Sequence, residues 1–302
     1  MIDIVIVNWN GGELFKNCIN SIILNDNTNL VKRIIIIDNH SSDDSISALP
    51  VNEKILVIQN AENFGFSRAC NQGFKLCNSP YILLLNPDTR LFESTLQDCL
   101  DFMNNRADVD ILGCQLLEDS GKITKSCARF PTPLRMCFDA IGLSKIAPGI
   151  FTPGTLMTDW DHNENRFVNQ VMGAFMFIKA DIFDKLGFFD ERFFVYYEEL
   201  DFSKRLADSG GLSFYSTEIK AIHIGQGTTR AMRGFSLFLN LRSKLQYAKK
   251  HFSTLGYISV WACTFFIEPF SRFFLLLCTL RFKEIKAMVK GYRLLISSLP
   301  IP

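Results

Sequence analysis

Four places in this 302-residue chain put groups capable of chemistry at the ends of apolar runs. Tyr81-Ile-Leu-Leu-Leu85 runs into Asn86-Pro87-Asp88. A carboxylate held there, just past a proline that cannot continue a sheet ladder, suits a divalent cation and phosphate oxygens; a plain turn leading to a helix near Glu93 is the alternative. Arg33-Ile-Ile-Ile-Ile37 ends in Asp38. That acceptor-only group matches the imide N–H of a pyrimidine base, or serves an Asx-turn in the polar run Asn39-His40-Ser41-Ser42-Asp43. Glu198, Glu199 and Asp201 open a predicted helix, where the macrodipole alone favours carboxylates. The aromatic run Phe193-Phe-Val-Tyr-Tyr197 before them can dry the site and raise a carboxyl toward the range of a useful base. His223 closes the predicted strand Ile219–Ile224, as a structural side chain or as a ligand.

The elements that must position these groups alternate regularly. Ile4–Val7 predicts a strand, Gly11-Gly12 a turn, and Leu14, Cys18 and Ile22 a helix face. Arg33–Asp38 and Ile55–Ile58 predict two more strands, Phe66–Cys77 a helix, and Tyr81–Leu85 a central strand buried on both faces. Repeated βα units imply right-handed crossovers and a mostly parallel sheet flanked by helices. Asn8-Trp9-Asn10, Asp38-Asn39, Asn63-Phe64-Gly65 and Asn86-Pro87-Asp88 then share the carboxyl edge, where such sheets bind ligands. Trp9 offers a face to a base or sugar, unless it is core. Arg68 and Asn71, in the first turns of the helix after Gly65, are placed for phosphate or ribose, with solvent exposure the plain reading for Arg68. Neither the G-x-G-x-x-G dinucleotide fingerprint nor a P-loop occurs.

Val5-Ile-Val-Asn-Trp-Asn-Gly-Gly12, Ile37-Asp-Asn-His-Ser-Ser-Asp43, Asn63-Phe-Gly-Phe66 with Asn71, and Leu85-Asn-Pro-Asp88 resemble the successive blocks of family 2 glycosyltransferases. Met172-Gly-Ala-Phe-Met-Phe-Ile178 and Gly187–Asp201 continue the match, which covers roughly residues 2–229 and is nearest to the bacterial rhamnosyltransferase-like branch. The resemblance implies a GT-A (Rossmann-like) fold, a nucleotide-sugar donor and an inverting transfer. It implies Asn8, Trp9, Asp38, Asn39, Asn63, Arg68, Asn71 and Asp88 as donor-binding residues. It also implies that His223 joins Asp88 on a divalent cation, Mn²⁺ or Mg²⁺, and that Glu199, beside Glu198, is the base. The family's Glu-Asp-x-Asp block reads Glu-Glu-Leu-Asp here, so the base carries one methylene more than usual.

Residues 115–170 are poor in pattern and rich in Pro and Gly, as mobile or functional segments are. Gln170–Ile178 is expected to return to the sheet beneath the site, Gly173-Ala174 giving a ligand room. The composition, 48% hydrophobic with 28 Phe, excludes a disordered chain. The net charge of +1 hides an asymmetry, for residues 230–302 hold 12 Lys/Arg against 2 Asp/Glu and the remainder 20 against 29. Two domains are therefore expected, a catalytic one over 1–229 and a basic, apolar helical one over 230–302. In the latter, Leu255–Ile267 and Phe273–Leu280 flank Glu268-Pro269, and neither run reaches the ~20 residues of a spanning helix. Interfacial helices on an anionic leaflet are expected, with packing on protein, including a second copy of the chain as a homo-oligomer, as the alternative. The tail lacks a nucleic-acid motif and the rest of the chain is acidic, so no nucleic-acid partner is expected. Nine cysteines without a C-x-x-C pair read as reduced thiols, and the strand directly after Met1 as the absence of an export signal. The expected whole is a cytoplasmic enzyme, peripheral on the inner face of the cell membrane, moving a sugar to a lipid-linked or envelope saccharide in polysaccharide or O-antigen synthesis. A silent nucleotide-sugar binder, a relative using a UDP-hexose or UDP-galactofuranose, and a nucleotidyltransferase are the competing readings.

Overall fold

The computed structural model describes residues 1–26, 28–147, 149–225 and 233–298. In chain order, β1 (Ile2–Asn8), α1 (Gly12–Leu24), β2 (Val31–Asp38), β3 (Ile55–Gln59), α2 (Phe66–Phe74) and β4 (Tyr81–Leu85) form the first half of a sheet domain. β5 (Thr89–Leu91), α3 (Thr95–Asn105), β6 (Ile111–Leu117) and β7 (Cys127–Ala128) follow, then α4 (Pro133–Ile141) and α5 (Leu143–Ile146). The chain returns through β8 (Arg166–Val168), β9 (Gln170–Val171), β10 (Phe175–Lys179), α6 (Ile182–Leu186), α7 (Glu198–Asp208) and β11 (Ser213–His223). It ends in α8 (Arg233–His251), α9 (Thr254–Ala262), α10 (Glu268–Cys278) and α11 (Phe282–Ser297). Two compact units result. One holds residues 1–128, 160–191 and 198–228, the other 129–159, 192–197 and 229–302.

In the first unit the strands lie in the order β3-β2-β1-β4-β10-β6-β11-β5, with β8 also on β11. β1 to β4 are mutually parallel where they pair, as the βα alternation predicts. β4 is indeed central, with Ile82–Leu85 buried, because a five-residue apolar run has no polar face to offer water. Its second neighbour is antiparallel: β10 enters with Phe175 opposite Leu85. The sheet is therefore mixed, and β9 pairs with β7 in a separate two-stranded ladder instead of joining it. On α1 the buried residues are Phe15, Cys18, Ile19 and Ile22, so the apolar stripe is set by Phe15, with Leu14 at its margin. α2 stops at Phe74, three residues earlier than the apolar pattern suggests, and the Lys75 and Leu76 N–H groups close its last turn.

The second unit is helical. Thr132 caps α4, its Oγ1 accepting the Arg135 N–H at 3.3 Å, with Pro133 in the first turn. Ser253 caps α9 in the same way, accepting from the Gly256 N–H at 3.2 Å. The expectation of two short apolar helices is overturned. α9, a π-helical turn (Cys263–Ile267) and α10 form one helix of 25 residues, Thr254–Cys278, long and apolar enough by length and composition to cross a membrane. Pro269 does not break it because it sits in the first turn of α10, and the wider π turn before it absorbs the change in the hydrogen-bond ladder.

α2 lies close on β1 because residue 73 has no side chain. A Cβ there would come within 2.4 Å of Val5 Cγ1, in the middle of the sheet. Gly73→Ala should therefore cost about 1–3 kcal/mol by overpacking, although alanine is the better helix former. A denaturation midpoint equal to that of the parent would show that the interface yields.

Candidate active site

Register builds the first corner. β1 and β2 pair with Asn8 opposite Asp38, which sets both side chains at the carboxyl edge. Asn8 Nδ2 donates to Asp38 Oδ1 (3.0 Å), Ser41 Oγ (3.0 Å) and Ser45 Oγ (2.8 Å). Asp38 also accepts from Ser41, at Oδ1 from the hydroxyl (2.5 Å) and at Oδ2 from the N–H (3.2 Å), so it braces the polar turn that follows through the residue three positions on. The same carboxylate keeps acceptor capacity, because each oxygen carries two lone pairs. Asn10, at φ 52°, accepts the Ser42 N–H at 2.7 Å, and Gly12 N–H donates to Asp43 at 2.9 Å. The loops after β1 and β2 are thereby laced together, and Trp9, between Asn8 and Asn10, is partly buried.

The next three residues separate by role. Asn39, buried, uses its whole amide internally: Nδ2 donates to Asn63 Oδ1 (2.8 Å) and the Gly65 carbonyl (3.2 Å), and Oδ1 accepts from Phe64 N–H (3.0 Å) and Asn60 (3.1 Å). Asn71 is likewise consumed, donating to the Phe189 carbonyl (2.9 Å) and Glu191 (3.0 Å) and accepting the Phe189 N–H (3.0 Å). Both amides, with Asn63 as an acceptor for Asn39, thus have partners within the loops that bound the site. Buried amides cannot leave such partners without cost, so they hold loops in place. Arg68 is exposed, and its guanidinium stacks 4.1 Å over the Phe64 ring at the start of α2.

The second corner brings Asp88 to His223. β5 pairs with the end of β11, Thr89 opposite His223, which leaves Asp88 Oδ1 3.3 Å from His223 Nε2. The Ile224 N–H donates to the Asp88 carbonyl at 3.1 Å and locks the pair. Cys18 lies near by, but burial, then the Asp88 charge, pushes its thiol far up, so it is no nucleophile. Among the described residues no three His, Cys, Asp or Glu side chains cluster for a metal. Asp88 and His223 are a two-donor set, and their separation fits neighbouring ligands on an ion with ligand distances of about 2.1 Å. Gln226 and Gly227, just beyond this strand, lie outside the described residues.

Glu199 completes the arrangement from α7. Its Oε1 lies against Gly173, where a Cβ would be only 3.1 Å away, so the room read as ligand space is taken by this carboxylate. Burial raises its pKa; hydrogen bonds from its own backbone, Gly173 and Glu198 only partly offset that. The adjoining Ala174 carbonyl accepts the Asn86 N–H (3.1 Å) and Thr89 Oγ1 (3.3 Å). One dipeptide thus touches both the raised carboxyl and the loop bearing Asp88. Asp201, the third acid, is fully buried and bound to Arg205 (3.0 Å), whose remaining N–H groups hold the Leu186 and Phe188 carbonyls at 2.7 Å each. Arg205 was missed as a site residue, although its i, i+4 spacing from Asp201 is visible in the sequence. Glu191 and Ser45 left no signal of that kind.

The mixed, mostly parallel sheet with these groups at its edge, an Asp–His pair and a half-buried carboxyl of raised pKa among them, is that of a GT-A glycosyltransferase. Residues 3–154 match the model of "Glycosyl transferase family 2", and the chain belongs to that family. It is 26% identical over 260 residues to the low-salt glycan biosynthesis hexosyltransferase Agl10 of Haloferax volcanii, covering 83% of this chain and 76% of that protein. It is 22% identical over 207 residues to the N-acetylglucosaminyl-diphospho-decaprenol L-rhamnosyltransferase of Mycobacterium tuberculosis, covering 63% of this chain and 66% of that enzyme. The fold is shared with the mannosyltransferase PcManGT from Pyrobaculum calidifontis, solved with GDP-Man and Mn²⁺. The TM-score is 0.55 at 11% identity, over 100% of this chain and 76% of that one.

If Asn71 braces the 189–191 loop, Asn71→Ala should cost about 2–4 kcal/mol through three lost hydrogen bonds, by chemical denaturation. Unchanged stability with lost donor affinity would return Asn71 to the donor site.

Proposed function

We propose that this glycosyltransferase takes its sugar from a nucleoside diphosphate donor, L-rhamnose from dTDP-L-rhamnose, and passes it with inversion to a lipid-linked or cell-envelope saccharide. The observation that carries the mechanism is Gly173-Ala174, against which the Glu199 carboxylate rests on one side and the Asp88 loop on the other. The named activities of the mycobacterial and haloarchaeal relatives support the sugar class and the acceptor. Asp38 receives the pyrimidine N–H, and Trp9 and Arg68 flank the nucleotide. Asp88 and His223 would hold a divalent cation, Mn²⁺ or Mg²⁺, which when bound would supply positive charge for the leaving diphosphate. Glu199 takes the proton of the acceptor hydroxyl as that oxygen attacks the anomeric carbon from the face opposite the diphosphate, and Glu198 is its hydrogen-bonded neighbour. Exposed Phe266, Phe270, Phe274 and Leu280, with Lys283, Lys286, Lys290 and Arg293 near by in the sequence, suit an enzyme resting on the anionic inner face of the cell membrane.

The base is tested by Glu199→Gln, which should lower transfer on the order of 10²–10⁴-fold while donor affinity persists. Because burial raises the Glu199 pKa and the base must be ionised, the acid limb of the parent's kcat/KM profile should lie above the ordinary glutamate value of 4.5. The linked stability has the opposite sense: it is complete below the unfolded pKa and declines as pH rises through the raised one. Normal turnover in Glu199→Gln with a dead Glu198→Gln would move the base by one residue.

The cation is tested by titrating Mn²⁺ and donor into Asp88→Ala and His223→Ala. Each should lose the metal dependence of donor binding, and Asp88→Ala should lose transfer as well. Metal-dependent donor affinity equal to that of the parent in both would remove the pair from this role.

A further inference from the structure

A second concave site lies wholly within the helical unit, in a cavity of about 340 Å³ walled by α5, α8, α10 and α11. Its size is at the lower end of the roughly 300–1,000 Å³ of small-molecule sites. Lys145, Arg233, Arg272 and Arg281 line it, with Glu284 as the lining carboxylate. Glu284 accepts from Arg233 (2.5 Å) and Arg281 (2.6 Å). Glu268, buried behind the wall, is shared by Arg272 (2.6 Å) and Lys244 (2.5 Å). One carboxylate and four cations thus line the cavity, and the Glu268–Lys244 pair outside the lining leaves the excess at three. Such an excess around a cavity is costly without an anion to share it.

The other wall is apolar. Leu237, Leu275, Leu276 and Met288 line the same space, and Leu275 is also part of the exposed surface of the long helix, at 40% accessibility. Phe274 (68%) and Phe282 (55%) continue that surface on either side in sequence. Polar charge and apolar contact meet at one place. We propose that this cavity binds the phosphate headgroup of an anionic lipid, with guanidinium and ammonium groups on the phosphate oxygens and the acyl or prenyl chain lying along Leu275 and its exposed neighbours. Arg281 spends Nε and Nη2 on Glu284, which orients its planar fork and leaves Nη1 for the phosphate. The inference deepens the membrane part of the proposed function by naming the group recognised there.

The test uses the full chain and three soluble probes: dihexanoyl phosphatidic acid, dihexanoyl phosphatidylcholine and inorganic phosphate. The phosphatidic acid should bind at least tenfold tighter than either of the others, by calorimetric titration below its micellar concentration. Lys145→Gln combined with Arg281→Gln should weaken it tenfold or more. Lys32→Gln with Lys122→Gln, which removes the same charge from the sheet unit, should bind as the parent does. Inorganic phosphate binding as tightly as the lipid would reduce the cavity to an anion site and overturn the proposal. Equal weakening in both double variants, or no binding by the parent, would overturn it too. Donor titration of the same proteins separates the readings, since the cavity residues take no part in holding the nucleotide.

Discussion

The hydrogen bonds accepted by the Ala174 carbonyl are the constraint on which the site depends. β10 runs antiparallel to β4 with Phe175 opposite Leu85, so the residue before Phe175 must meet the residue after Leu85. That meeting is the Asn86 N–H on Ala174, and Thr89 Oγ1 adds a second bond. Pro87 gives no N–H of its own, so the turn between β4 and β5 is held by its flanking residues. Asp88 therefore stands where the sheet fixes it, and β5 carries the chain on to β11 and His223. A shift of one residue in the β4–β10 register would turn every side chain to the other face and separate the pair.

Much of this was legible because it rests on patterns of short range. The short, turn-bounded apolar runs Ile34–Ile37 and Tyr81–Leu85 read as buried strands by their length and flanking residues, and a carboxylate at the end of each falls at the sheet edge. Asp88 and His223 are 135 positions apart, and only the order of the family's blocks joins them in sequence. The antiparallel insertion of β10 was not visible, since a buried five-residue strand reads alike in either direction. The internal partners of Asn39 and Asn71 were hidden for a related reason. An amide beside a ligand edge and an amide bracing a loop have the same residue type, and only the partners distinguish them.

The C-terminal helices show the converse failure, where a local signal was read too strongly. Glu268-Pro269 looked like an interruption, but proline is excluded only where its ring meets a preceding carbonyl and its missing N–H is required. In the first turn of α10, after a π-helical turn, neither condition holds. Glu268 is no interruption either. It is buried and carries Lys244 and Arg272, which make the charge in the middle of an apolar helix tolerable.

The departure of Glu199 from the shorter acid of its family has a structural counterpart. A side chain longer by one methylene needs room for its carboxylate, and the absence of a Cβ at Gly173 supplies it, since Oε1 would otherwise lie 3.1 Å from that atom. Just before the helix, Tyr196 and Tyr197 both lie in the left-handed region at φ 68° and 71°, a conformation that costs non-glycine residues of order 1–3 kcal/mol each. Two such residues in succession are kept only where the surrounding structure over-determines them. They deliver the chain into α7 so that Glu198 is buried while Leu200 and Leu206 face the core, and Asp201 anchors the first turn through Arg205. Side-chain length and the glycine opposite form one accommodation, and the raised proton affinity of the carboxyl follows from the desolvation this placement imposes.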